Sequence, residues 1–139
     1  MRPLHREDGI KILEDLMFDD EWAIRRAATE CLCNMLYCEK VFEMFATKEG
    51  KCWERVKLWI LLSGCVDDDY ATARAAAGGL ALLSASKDVC VRITEEKQGM
   101  LILKENAASG NVEMQMRALH TLRNMAAASK EVGLQDAPP

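Results

Sequence analysis

Apolar positions along this chain recur at helical spacing. Ile10, Leu13 and Met17 stand at i, i+3 and i+7, and Met100, Leu103 and Ala107 repeat that spacing. Each trio lies on one face of a helix. Ala28, Leu32 and Met35 mark a further helix, with polar residues between them. Shorter patterns follow: Val41, Phe42 and Phe45 within 39–47, and Val89 with Ile93 within 88–96. The strongest apolar run, Leu58 to Leu62, is far too short to span a membrane.

These helices form a repeat. Ala28, Ala76 and Ala118 align at offsets of 48 and 42 residues. The same offsets bring together Leu32, Leu80 and Leu122, then Met35, Leu83 and Met125, then Trp22, Tyr70 and Val112. Extended upstream, they align Ile10, Leu58 and Met100; Ile12, Ile60 and Ile102; Leu13, Leu61 and Leu103; and Met17, Cys65 and Ala107. One unit is therefore a short, a middle and a long helix. This period belongs to armadillo or HEAT units. The three-helix count and the Ala-rich start of the long helix favour armadillo.

The expected fold is all-α: an armadillo-type right-handed α-solenoid of about three partial or complete repeats, at 10–36, 37–86 and 87–129. A short segment (1–9) precedes them and a tail (130–139) follows. Asp19-Asp20-Glu21, Asp67-Asp68-Asp69 and Asn111 with Glu113 precede the long helices. Oxygens there can accept from the free N–H groups of a first helical turn. A third short helix is expected to begin at Ser129–Val132, before Gly133 and the final Pro138-Pro139. The chain thus enters at a middle helix and leaves at a first helix. Apolar faces at Ile10 to Met17 and at Val132–Leu134 then favour end-to-end self-association.

Composition narrows the function. The 139 residues suit one compact unit, and half of them are hydrophobic, so disorder is excluded. A net charge of −4 argues against general binding of nucleic acid, and no membrane segment is present. The charged start, Met1 to Gly9, lacks a secretory apolar core, which points to the cytoplasm. In a reducing compartment the six cysteines read as small buried apolar residues.

Catalytic patterns are missing. Gly50-Lys51 is followed by Cys52 and lacks the upstream glycine of a phosphate-binding loop. Cys31-x-Cys33 is too closely spaced for zinc, and no cysteine shares the column of His120; the other histidine is His5. The acidic clusters lack calcium-loop spacing and suit helix starts. No enzyme activity, cofactor or metal is expected. Gly78-Gly79 suits close helix packing. Trp59 suits the core; Trp53, placed on the same middle helix, suits an exposed contact.

A surface remains. Beside the core columns, the long helices carry Arg26, Glu30 and Asn34; Arg74, Gly78 and Leu82; and Met116, His120 and Asn124. In an armadillo stack such a stripe lines a groove, and amides there can hold the backbone of an extended peptide. An ordinary solvated face is the other reading.

The run Asp20-Glu-Trp-Ala-Ile-Arg-Arg-Ala-Ala-Thr-Glu-Cys-Leu-Cys-Asn34 resembles the late part of the UCS domain in myosin co-chaperones, a family named for uncoordinated-worm mutants. Arg55-Val-Lys-Leu-Trp-Ile-Leu-Leu-Ser-Gly64 and Ala75-Ala-Ala-Gly-Gly-Leu-Ala-Leu-Leu83 look like its continuation, and the likeness covers roughly 8–130. It implies a module that holds the myosin motor domain during folding and assembly. It also implies that Hsp90 and Hsp70 are reached only through a tetratricopeptide domain that does not precede Met1 here. Groove residues carried over are Arg26, Glu30, Asn34, Arg74, His120 and Asn124. The alternative, a generic armadillo scaffold for extended peptides, expects a tryptophan–asparagine ladder. Glu30, Gly78 and His120 occupy its tryptophan column.

Overall fold

The structure is a computed structural model, and it describes residues 6–131. Among the described residues the chain is helical throughout. The elements are α1 (Arg6–Leu16), α2 (Trp22–Met35), α3 (Glu39–Ala46), a 3-10 turn (Trp53–Arg55), α4 (Val56–Ser63), α5 (Tyr70–Leu83), α6 (Lys87–Glu95), α7 (Gly99–Ala107) and α8 (Val112–Glu131). The long helices stack in the order α2, α5, α8, and each packs on its own middle helix, α1, α4 or α7. The short helices α3 and α6 complete the second and third units. This arrangement is an α-solenoid.

The core runs through the middle of the stack. Trp59 is 1% exposed, and its ring meets Phe45 edge-on at 5.7 Å between centroids. Ala73, Ala76 and Ala77 keep the α5 surface shallow, so neighbouring long helices approach closely. Gly79 belongs to this economy of volume: a Cβ there would lie 2.0 Å from a Trp59 ring carbon. Trp53 lies on the 3-10 turn rather than on α4, half-buried beneath the Arg92 guanidinium at 4.9 Å.

The long-helix register holds, with Ala28, Ala76 and Ala118 all buried. The middle-helix register does not. Leu13 is half-buried, Leu61 is 41% exposed and Leu103 is 4% exposed, so that column does not share an environment. Ile12 is exposed while Ile60 is buried. The equivalent buried positions are Ile10 and Glu14 in α1 with Met17 just after it; Val56, Ile60 and Ser63 in α4; and Gly99, Leu103 and Asn106 in α7. The connection from middle to long helix changes length from unit to unit. An offset read from the long helices therefore slips by one or two residues upstream of it. One hydrogen bond marks the true register: Asn106 Nδ2 donates to the Ser63 carbonyl at 3.1 Å.

Three further expectations are corrected. The third short helix does not start at Ser129, because α8 continues through Glu131. At the matching turn of the preceding unit Ser86 Oγ caps α6 by accepting from the Val89 N–H. Ala128 stands there in the third unit, with no side-chain oxygen to start a new helix. Second, Ile10 and Met17 are buried inside the unit and do not form the free apolar face expected there; Val132–Leu134 lie outside the described residues. Third, only Cys52 and Cys90 are fully buried. Cys33 and Cys65 are intermediate, and Cys31 and Cys38 are exposed: Cys31 and Cys33 sit on α2 away from its buried face, Cys38 stands just before α3, and Cys65 lies in the α4–α5 connection.

Candidate functional site

The long-helix starts hold the site together. Asp69 caps α5, with Oδ1 accepting from the Thr72 N–H at 3.3 Å and Oδ2 from the Thr72 hydroxyl at 2.7 Å. Arg25 of α2 reaches across and donates from Nε to Asp69 Oδ2 at 3.0 Å. Burial alone would raise the Asp69 pKa, but these hydrogen bonds and the Arg25 charge hold it below its usual value. Asn111 does the same for α8, Oδ1 accepting from the Met114 N–H at 3.1 Å. The first unit differs: no side chain caps α2 at Glu21. There Arg25 donates to the carbonyls of Asp19 and Asp20 instead.

Beyond these starts runs a charged ridge. Glu30 lies 3.6 Å from Arg26 and 3.9 Å from Arg74, and Arg74 also pairs with Glu113 at 3.1 Å. Glu30, Cys33, Asn34, Arg74, Ala75 and Arg117 line an open concavity of about 200 Å³. Four of the residues expected from sequence therefore converge: Arg26, Glu30, Asn34 and Arg74.

The other two separate. Asn124 is half-buried and donates from Nδ2 to Ser84 Oγ at 3.0 Å, tying α8 to the end of α5. That bond ties its amide into the stack. His120 is exposed beside a second concavity of about 430 Å³, with Met116, Arg117, Leu119 and Arg123.

Arg117 joins the two concavities and lies outside the sequence stripe of Met116, His120 and Asn124. Its guanidinium lies against Gly78, where a Cβ would sit 3.2 Å from Nη1, and Nη1 donates to the Arg74 carbonyl. The same Gly78 position faces Cys33 Sγ at 3.6 Å, so the α8 arginine crosses α5 toward α2. Burial raises the Cys33 pKa, and the Arg117 charge opposes that. The sequence signal was available: a glycine in one long helix and an arginine in the next, three columns apart, about one helical turn.

The described residues of the site offer guanidinium, carboxylate, amide and apolar surface. Fold and site together define a helical-repeat module with a charged, internally paired ridge along its long helices. The HEAT repeat family pattern matches residues 10–38. Protein unc-45 homolog B from Danio rerio is 36% identical over 129 residues, covering 91% of this chain and 13% of that protein. The Homo sapiens protein of the same name is 35% identical over 131 residues, 93% of this chain and 14% of its own. Among solved structures, UNC-45 from Drosophila melanogaster superposes with a TM-score of 0.79 at 31% identity, covering 96% of this chain and 16% of that one. A second solved structure, of an UNC-45 chaperone described by its molecular features critical for binding and folding muscle myosin, superposes with a TM-score of 0.79 at 30% identity, covering 96% of this chain and 15% of that one. Over most of its length this chain is homologous to UNC-45 proteins. It spans about a seventh of the relatives it matches.

Proposed function

We propose that this chain is part of the client-holding surface of an UNC-45-type cytoplasmic chaperone, and that it binds the myosin motor domain while the motor folds or assembles. The mechanism is reversible occupation of exposed client segments, without bond chemistry. The homology to UNC-45 proteins, one of them described as binding and folding muscle myosin, carries this reading. The ridge of Arg26, Glu30, Asn34 and Arg74, with His120 on its flank, supplies the contacts. Side chains already fixed by ion pairs lose little entropy when a partner docks.

The test is heat-induced aggregation of purified myosin motor domain, followed by light scattering. Stoichiometric addition of this chain is expected to suppress scattering, while an equal amount of serum albumin does not. An unchanged scattering trace overturns the proposal.

A further inference from the structure

Arg117 is the least compensated charge on the ridge. Arg26 pairs with Glu30, and Arg74 with Glu30 and Glu113. Arg117 makes one hydrogen bond among the described residues, to the Arg74 carbonyl, and no ion pair. A guanidinium carries five N–H donors in a planar fork that matches a carboxylate. Arg117 therefore keeps donors unused in a half-buried place, where a charge-assisted bond is stronger than in water.

The surroundings point the same way. The larger concavity is lined by Met116, Arg117, Leu119, His120 and Arg123, with no carboxylate among them. Met116 is 64% and Leu119 54% exposed, so apolar surface flanks the cations. The whole chain carries −4, which makes a locally cationic patch a segregated feature. Such segregation steers partners of opposite sign. Arg117 also borders the concavity on its other side, so a peptide can run past it in both directions.

We propose that Arg117 is the receptor for an acidic side chain within an extended client segment, with Met116 and Leu119 taking the apolar residues beside that acid. This rests on the client-holding reading and names the chemistry it selects.

The test is fluorescence polarisation with N-terminally labelled, C-terminally amidated dodecapeptides. They alternate leucine and serine and differ only at a central glutamate, glutamine or lysine. The glutamate peptide is expected to bind roughly tenfold tighter than the glutamine peptide at low salt, as one charge-assisted bond implies. The preference should shrink as salt rises. Arg117→Gln should bring the ratio to about one, and Arg117→Lys should keep part of it, since charge survives while the fork is lost. Lys104→Gln, at an exposed position of α7 outside the ridge, should leave the ratio unchanged. Equal binding of the three peptides overturns the proposal, as does a glutamate preference that survives Arg117→Gln. A glutamine peptide with a free C-terminus that matches the glutamate peptide also overturns it, because the receptor would then read chain ends. Myosin protection without acid preference sinks this inference alone; acid preference without protection sinks only the chaperone reading.

Discussion

Two adjacent glycines of α5, Gly78 and Gly79, should respond differently to alanine: only Gly79→Ala should be destabilising. In an exposed helix, Gly→Ala stabilises by about 1 kcal/mol, because it lowers unfolded-chain entropy and improves propensity. At Gly79 that gain meets Trp59. The new Cβ would lie 2.0 and 2.5 Å from two ring carbons, where ordinary contact needs about 3.5 Å or more. Trp59 is 1% exposed and wedged on Phe45, so the ring cannot retreat without displacing its neighbours. Overpacking of this kind costs about 3 kcal/mol. Gly79→Ala should therefore be destabilising by about 2 kcal/mol net. At Gly78 the nearest atom is Arg117 Nη1 at 3.2 Å, the far end of a flexible side chain that can shift a few tenths of an ångström. Gly78→Ala should leave stability unchanged or raise it by up to about 1 kcal/mol. The assay is urea unfolding of both variants, with the midpoint and slope fitted together. Gly79→Ala as stable as the parent, or Gly78→Ala as damaged as Gly79→Ala, would refute the packing argument.

Other outcomes follow from the same packing. Asp69→Ala removes a cap and a part-buried, charge-assisted bond from Arg25; the loss should be about 2–4 kcal/mol by thermal melting, and Asp69→Asn, which keeps the cap, should lose less. Because the folded Asp69 pKa is depressed, its contribution is present above the usual value of 3.8 and fades as pH falls through the folded value. The stability gap between parent and Asp69→Asn should therefore close in acid. Glu14 behaves oppositely: burial, partly offset by Arg55, raises its pKa, so the folded state takes up a proton more readily than the unfolded chain. Glu14→Gln should raise the melting temperature at pH 7, with the advantage shrinking as pH falls toward 4.5. Iodoacetamide followed by peptide mass mapping should label exposed Cys31 well before Cys90, which is buried and donates to the Ser84 carbonyl.

The long helices were legible because their packing face is written in small and aliphatic residues that cannot be placed elsewhere. Ala28, Ala76 and Ala118 needed no partner to be read as core. The middle helices were harder. Their buried positions include Glu14, Ser63, Gly99 and Asn106, which carry no hydrophobic signal, while Ile12 and Leu61 face outward. Hydrophobic matching therefore chose the wrong register. At the site, a stripe spaced along each helix found the residues that share a helix face. It missed Arg117, because a long side chain crossing to another helix is set by the space that Gly78 leaves. It gave no sign of the Asn124 anchor for the converse reason: an amide looks the same in sequence whether it faces solvent or Ser84.

The unequal connections between middle and long helices have an evolutionary corollary. Lengthening at Cys65–Asp69 leaves α4 and α5 undisturbed, since each is fixed by its own side-chain anchors, such as Ser63 to Asn106 and Asp69 to Arg25. Gene variants that insert or delete a codon should accumulate at these joints, and be purged from the helices on either side, where one added residue rotates every later side chain by about 100°.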